Sequence, residues 1–387
     1  MKKVLFISPQ PFFQWRGSPI RVNFNILALT GLGYRVDLLT LPIGEDKSFE
    51  NGRVIRVANP FSMKNIAIGP SLPKIFFDIL LFGKGLQLCI KNNYDVIHGV
   101  EEAGLIAVVL ARLFGTKAIF EKHSDPFSYK KGVLKNSLLS VYSLVEKVTV
   151  RLCDGVIGTG KGLVAQVRAM GYSTRVFHIF DIPSSLQEPD SKQVKKFREK
   201  LAQNPDEILV TFVGSFALYQ GVELMFAAIP KIVKKNARVR FVIIGGSETE
   251  IDARKLEFKK LQIEDRVSFL GKVAPDILPA YLAASDILLS PRISGVNTPL
   301  KILDYMKAGK PIMATDVPSH RLLLDETTAV MAQPDPDHLA EALDILAGDE
   351  EKRLKMGAAG RNLYEKKYNF TNYQLQLSRC YQEVLAR

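Results

Sequence analysis

The sequence predicts an α/β protein built from two Rossmann-like domains in tandem. Three observations predict it. Short β-branched runs alternate with longer amphipathic segments, which is the grammar of helices packed on a parallel sheet. The runs are apolar throughout rather than alternating, as strands covered on both faces are. The alternation also halts at a polar, Lys-rich stretch and then starts again, within a length of 387 residues that suits two or three domains.

In order along the first half, strands are predicted at KVLFIS, YRVDLLTL, GRVIRVAN, YDVIHGV, KAIFEKH, CDGVIGTG and RVFHIF. Helices are predicted over 20–32, 71–92, 103–114 and 134–152. This gives an N-terminal domain over 1–184. The stretch SSLQEPDSKQVKKFREKLAQNPDE predicts a linker over 185–207. A second domain over 208–368 follows, with strands at ILVTFVGSF, VRFVIIGG, RVSFLGK, DILLSPR and PIMATD. Its helices are predicted over 221–235, 250–262, 276–284 and 298–308, and the tail reads as helical, ending in a separate helix over 369–387.

Hydrophobic content of 47% and charged content of 24% exclude a disordered chain. Cys89, Cys153 and Cys380 are far apart and odd in number, so neither a disulfide framework nor a zinc spacing is predicted, and a reducing compartment is expected. The apolar run at the N-terminus stops at Pro9, too soon for a signal-peptide core, and no apolar run is long enough to span a bilayer. The net charge of +12 is lopsided: residues 1–184 hold 23 Lys/Arg against 13 Asp/Glu, while the remainder holds 29 against 27. An excess of this kind serves nucleic acid, anionic lipid or a phosphorylated substrate. The basic residues are scattered and match no nucleic-acid recognition module, so nucleic acid is not the expected partner. In 61–93, Phe76, Phe77 and Phe82 stand among Lys64, Lys74, Lys84 and Lys91, and Lys130, Lys131 and Lys135 follow downstream. Apolar rings beside lysines suit an interfacial segment on an anionic membrane; a buried helix with a solvated lysine face is the plainer alternative.

Candidate site residues gather at predicted strand ends. In open parallel sheets, ligands bind beyond the carboxyl ends of the strands. Gly214 and Ser215 form a turn before a helix near Gln220 and Gly221, and Gly271 ends another strand. In SPRISGVNTPLKILDYMKAGKPIMATD, Asn297 or Thr298 is placed to cap a helix expected to start at Pro299. Backbone amides of 298–301, Leu300 among them, then offer themselves to an anion with Arg292 and Lys301 alongside. A dinegative diphosphate is the expected guest.

Taken together, ILLSPRISGVNTPLKILDYMKAGKPIMATDV resembles the C-domain signature of GT-B glycosyltransferases of family 4. Asp304, Ala308, Gly309, Lys310, Pro311 and Ala314-Thr315-Asp316 match, and FVGSF…QGVELMFAAIPKI resembles the family's diphosphate-binding loop and helix. In the N-terminal half, Gly17 and Ser18, flanked by Arg16 and Arg21, resemble the family's glycine loop after strand one. His98, with Glu101 and Glu102 behind it, and His123 with Asp125 stand where the family's strands end. The resemblance implies a GT-B fold with an acceptor-binding N-terminal domain, a nucleotide-sugar-binding C-terminal domain facing it across a cleft, and a final helix packing back on the first domain. It implies metal-independent transfer of a sugar from a nucleotide-diphosphate donor, with retention and no cofactor. His123, Asp125 and Asp304 take the catalytic positions; Arg16, Arg21, His98 and Glu102 take the acceptor side.

The departures are specific. The first acid of the family's pair falls on Val296, and the Arg and Lys of the family's diphosphate loop fall on Ser215 and Gln220. Either Arg292 and Lys301 replace those cations, or the chain is an inert sugar- or lipid-binding relative; two added cations on one rim favour replacement. A sugar-nucleotide epimerase shares the donor site but needs acid/base carboxylates, and no residue of the sequence is assigned to that role. The expected acceptor is lipid-linked or a cell-envelope glycan, and the expected location is cytoplasmic, peripheral at the inner face of the cell membrane.

Overall fold

The computed structural model describes residues 1–15, 17–64, 66, 72–125, 133–295 and 298–386. It contains two compact units: Met1–Asp181 with Phe370–Arg387, and Ile182–Asn369.

Unit 1 is built on seven strands: β1 (Lys3–Ser8), β2 (Arg35–Thr40), β3 (Gly52–Arg56), β4 (Val96–Val100), β5 (Lys117–Lys122), β6 (Gly155–Gly158) and β7 (Arg175–His178). All run parallel in the order β3-β2-β1-β4-β5-β6-β7, with Val4 facing both Val36 and Val96 in register. Val4, Leu5, Phe6 and Ile7 are wholly buried, which is why this strand reads as an unbroken apolar run. Its helices α1 (Gly17–Gly31), α2 (Leu72–Lys91), α3 (Ala103–Phe114), α4 (Val133–Leu152) and α5 (Lys161–Ala169) connect the strands. The order reverses at β1, the switch point where open sheets of this kind form their ligand crevice.

Unit 2 opens with α6 (Ser191–Leu201), capped by Asp190, whose carboxylate accepts from the Lys192 backbone N–H. The stretch expected as a linker over 185–207 is therefore folded. Phe197 stacks on Tyr281 at 3.9 Å between centroids, and Arg198 pairs with Asp286. Six parallel strands follow: β8 (Ile208–Val213), β9 (Val239–Ile244), β10 (Val267–Gly271), β11 (Ile287–Ser290), β12 (Ile312–Thr315) and β13 (Ala329–Ala332), in the order β10-β9-β8-β11-β12-β13. The last of these was not predicted. Between them lie α7 (Val222–Lys235), α8 (Glu248–Lys260), α9 (Leu278–Ala284), α10 (Leu300–Ala308) and α11 (Pro318–Arg321). Ser247 and Glu250 start α8 with a reciprocal capping box. The helical tail is broken at Asp349, which caps α13 (Glu350–Lys366) after α12 (Pro336–Gly348) ends.

The last helix, α14 (Phe370–Leu385), belongs to unit 1. Tyr373, Leu377, Cys380, Tyr381 and Val384 form its buried face at helical spacing. The Tyr373 hydroxyl donates to Asn25 Oδ1 at 2.7 Å, and the Tyr381 hydroxyl lies 2.8 Å from His98 Nδ1. Among the described residues, no helix is long and apolar enough to cross a membrane.

Candidate functional site

In unit 2 the carboxyl end of β8 runs into a short 3-10 turn, Leu218–Gln220, and then Gly221 before α7. Gly221 has φ +70°, and a Cβ there would lie 1.7 Å from the Pro291 carbonyl oxygen. Only glycine lets the turn after β8 meet the segment after β11 this closely. Two hydrogen bonds reinforce the junction: Ile293 N–H donates to the Tyr219 carbonyl at 3.1 Å, and Lys301 Nζ donates to Gln220 Oε1 at 2.8 Å.

Arg292 and Lys301 meet there. Arg292 is buried; its Nε donates to the Ser294 carbonyl at 2.7 Å and its guanidinium lies 5.5 Å from the Tyr219 ring centroid. The Lys301 ammonium lies 4.4 Å from the Phe212 ring centroid. Among the described residues, neither cation has a carboxylate within ion-pair distance. Burial, and then the charge of Arg292, push the Lys301 ammonium down to about 7. Burial likewise lowers Arg292. Behind them His320 is wholly buried, with Nδ1 2.7 Å from the Thr315 carbonyl and Nε2 2.9 Å from Ser290 Oγ. Burial and the two nearby cations push that imidazole down to about 4, so it is neutral near pH 7, with Nδ1–H donating and Nε2 accepting. Two adjacent cations with no carboxylate partner among the described residues are what a compact anion needs.

The helix α10 begins at Leu300, with Pro299 in the capping position rather than inside the first turn, a correction to the expected start. Thr298 immediately precedes it; Asn297 and Val296 lie outside the described residues. Asp304 is committed elsewhere: its oxygens accept from Ser184 N–H at 2.7 Å and Ser184 Oγ at 2.9 Å. Burial lifts its carboxyl to about 6 in spite of those bonds. One helical turn on, Lys307 Nζ donates to the carbonyls of Ser185 and Gln187. Asp304 and Lys307 thus clamp the chain entering unit 2, which corrects the expectation of a carboxylate turned to the substrate. Ser215 is exposed at the mouth of the turn after β8, and Gly271 closes β10 by accepting from Gly245 N–H at 2.7 Å.

In unit 1 the centre is a residue the sequence reading passed over, Glu121 on β5. It is wholly buried and gathers four side chains. Arg21 Nε donates to it at 2.5 Å and Asn25 Nδ2 at 2.7 Å, while His98 Nε2 lies at 3.1 Å and His123 Nε2 at 3.4 Å. Burial alone would raise its pKa; Arg21 first, then His123 and His98, hold it well below the usual carboxylate range. Arg21 also reaches Asp181 Oδ1 and the Ile179 carbonyl, both at 2.9 Å. Burial opposes its charge, but the Tyr373 hydroxyl and the two carboxylates reverse this and raise its pKa. The signal available in the sequence was an acid inside an apolar strand, which is tolerated only with a buried partner.

This hub corrects two assignments. Arg21, with both carboxylates engaged, and His98, wholly buried with both ring nitrogens bonded, hold unit 1 together and are closed to an acceptor. His123 stands nearer the sheet edge. Its Nδ1 lies 2.9 Å from Ser18 Oγ, bringing together two residues singled out in the sequence, and its backbone N–H donates to Glu101 Oε1 at 3.0 Å. Gly17 and Ser18 open α1 itself rather than preceding it in a loop. Glu102 pairs with Lys74, and Gln166 Nε2 donates to Asp125 Oδ2 at 3.0 Å. Arg16 lies outside the described residues, as do Lys130, Lys131 and the side chain of Lys135.

The family described as "Glycosyl transferases group 1" matches residues 193–363, and "Glycosyltransferase Family 4" matches residues 26–180, together most of the chain. A D-inositol 3-phosphate glycosyltransferase of Corynebacterium kroppenstedtii is 22% identical over 96% of this chain and 86% of its own length. Among solved structures, a sucrose-phosphate synthase from Thermosynechococcus elongatus superposes with a TM-score of 0.82 at 22% identity, covering 100% of both chains. Anabaena Alr3699/HepE, crystallised in complex with UDP, gives 0.74 at 16% identity, covering 99% of this chain and 100% of its own.

Proposed function

This chain belongs to the GT-B glycosyltransferases of the family 4 type and is a transferase, and from that premise we propose its reaction. It moves a sugar from a nucleoside diphosphate donor to a lipid-linked or cell-envelope glycan acceptor, with retention at the anomeric carbon. The observation that carries the donor half is the Arg292–Lys301 pair, its guanidinium buried and its lysine half-buried, which lacks a counter-ion among the described residues and sits beside the Gly221 turn and the start of α10. A diphosphate supplies the missing negative charge. The UDP complex of the Anabaena neighbour supports a nucleotide of this class.

In the proposed reaction the bond from the anomeric carbon to the β-phosphate oxygen breaks and the acceptor oxygen bonds to that carbon from the same face. The acceptor proton passes to the departing phosphate. Arg292 and Lys301 stabilise the charge as it grows on the leaving group, which is where electrostatic catalysis acts. Ser215 and Gln220 line the same turn as neutral partners, Gln220 by orienting the Lys301 ammonium. In unit 1, Ser18 fixes the His123 ring through Nδ1, and His123 with Asp125 is assigned to the sugar and acceptor. The membrane side of the reading rests on the basic excess of residues 1–184.

Calorimetric titration with UDP, GDP and dTDP tests the donor half. Arg292→Ala and Lys301→Ala should each weaken binding of the preferred nucleotide by about tenfold or more, the worth of a charge-assisted hydrogen bond. Unchanged affinity in both variants overturns the assignment. The absence of binding by any of the three, together with no hydrolysis of their glucose conjugates, overturns the enzymatic reading of the site.

A further inference from the structure

Three helices of unit 1, α2, α3 and α4, pack side by side, α3 between the other two. Their outer surfaces carry aliphatic side chains in solvent: Ile79 is 64% exposed and Ile90 70% on α2, Leu113 63% on α3, and Leu144 63% on α4. On α2 the spacing of Ile75, Ile79 and Ile90 keeps them on one stripe, and on α4 Leu144, Val148 and Leu152 recur every four residues. These residues are surplus to the core, which is filled by Phe77, Leu81, Leu88, Ala107, Leu110 and Val150 on the inward faces.

Charge separates this face from an ordinary greasy surface. The three helices contain seven Lys/Arg against two acids, Asp78 and Glu146. Both acids point inward. Glu146 is buried against Lys122, and Asp78 has a buried Oδ1 that finds no hydrogen-bond partner. Lys91, Arg112, Lys147 and Arg151 remain outside. Unit 2 also exposes leucines, but on helices that carry acids: Leu256 precedes Glu257, and Leu354 follows Glu350 and Glu351.

From this combination we propose that the α2–α3–α4 face of unit 1 is a docking surface for an anionic lipid bilayer. The proposal rests on the membrane half of the reading given above and assigns it to a defined surface. Aliphatic side chains of the length of Ile and Leu enter the acyl boundary, and the lysines and arginines between them meet lipid phosphates. Nucleic acid offers phosphates but nothing for the aliphatic residues, so the bilayer is the partner that satisfies both features.

Sedimentation of the full chain with vesicles tests this. One set is phosphatidylcholine with about one third phosphatidylglycerol, the other phosphatidylcholine alone. Binding should favour the anionic vesicles and fall as salt rises. Two variants separate the contributions: Ile79→Ser/Leu113→Ser/Leu144→Ser removes the aliphatic part, and Lys147→Glu/Arg151→Glu reverses charge. Each should lower partitioning by about tenfold or more, since each basic residue near the surface contributes about 1 kcal/mol. All these positions are exposed, and nucleotide titration of the same preparations reports whether the donor site stays intact. Equal binding to both vesicle types, or no loss in either variant, overturns the proposal while leaving the donor reading standing. Loss of self-association by ultracentrifugation in the aliphatic variant, without lipid binding in the parent, overturns it in favour of a second copy of the chain.

Discussion

Arg21 and Arg292 are both buried guanidiniums at the carboxyl end of a parallel sheet, and their circumstances are opposite. Arg21 meets Glu121 and Asp181 and stacks on Tyr373 with its guanidinium carbon 5.3 Å from the ring centroid. Arg292 meets a carbonyl, a ring and a second cation. Burying a charge is costly unless it is paired, so the first arrangement is complete as folded and the second awaits something from outside. The contrast gives a way to sort charged residues near strand ends. Compensated ions hold the scaffold, and uncompensated ones mark where an ionic ligand goes.

The comparison breaks most visibly if the hub is uncoupled. Glu121→Gln keeps shape and removes the charge that Arg21 needs. Breaking a buried pair from one side costs about 3–5 kcal/mol, and urea unfolding should show a loss of that order. A loss below about 1 kcal/mol would mean that Asp181 alone satisfies Arg21. The matching change in unit 2 should have the opposite sign for stability. Lys301→Met removes a half-buried cation with no carboxylate partner among the described residues, so the nucleotide-free protein should become more stable by about 1 kcal/mol, even as nucleoside diphosphate binding weakens. A destabilised Lys301→Met protein would show that the pair is structural after all.

A pH series sharpens the same point. The Lys301 pKa is lowered in the folded chain to about 7, so between pH 7 and its unfolded value the unfolded state holds more protons. Its contribution therefore makes the free protein gain stability as pH rises through that window. Binding runs the other way. A diphosphate raises the Lys301 pKa, so complex formation takes up a proton and affinity falls above pH 7, by at most about tenfold per pH unit. Titration of wild type beside Lys301→Arg, which stays charged, checks this; parallel slopes would assign the effect to the nucleotide. The smallest expected effect is at Ser18. Ser18→Ala removes one hydrogen bond to His123, worth about 1 kcal/mol, and should lower kcat more than nucleotide affinity. An equal fall in both would tie Ser18 to the donor site instead.

Most of the architecture was legible because it depends on local pattern. Apolar runs gave twelve of the thirteen strands, and β13 escaped as four residues, Ala329–Ala332, without a distinctive pattern. The stretch at 185–207 looked like a linker because α6 is strongly polar, and its docking depends on partners far along the chain, Phe197 on Tyr281 and Arg198 with Asp286. Gln220, Arg292 and Lys301 were each singled out from the sequence, and the structure adds that Gln220 Oε1 accepts from the Lys301 ammonium. Glu121 with Arg21, and Ser184 with Asp304, were not legible as pairs. Their partners are 100 and 120 residues apart, and only the strand order brings them together.

The return of α14 to unit 1 has a consequence for how the protein is made. The hydroxyls that meet His98 and Asn25 belong to Tyr381 and Tyr373, which leave the ribosome after all of unit 2. Unit 1 must therefore wait for a helix encoded after unit 2, while unit 2 has its whole sequence earlier. A chain truncated after Asn369 should carry a protease-resistant unit 2 beside a protease-sensitive unit 1, with the apolar bed of α14 open to chaperones. A cell that surveys exposed apolar surface would thus detect a chain lacking α14 by the open face of unit 1.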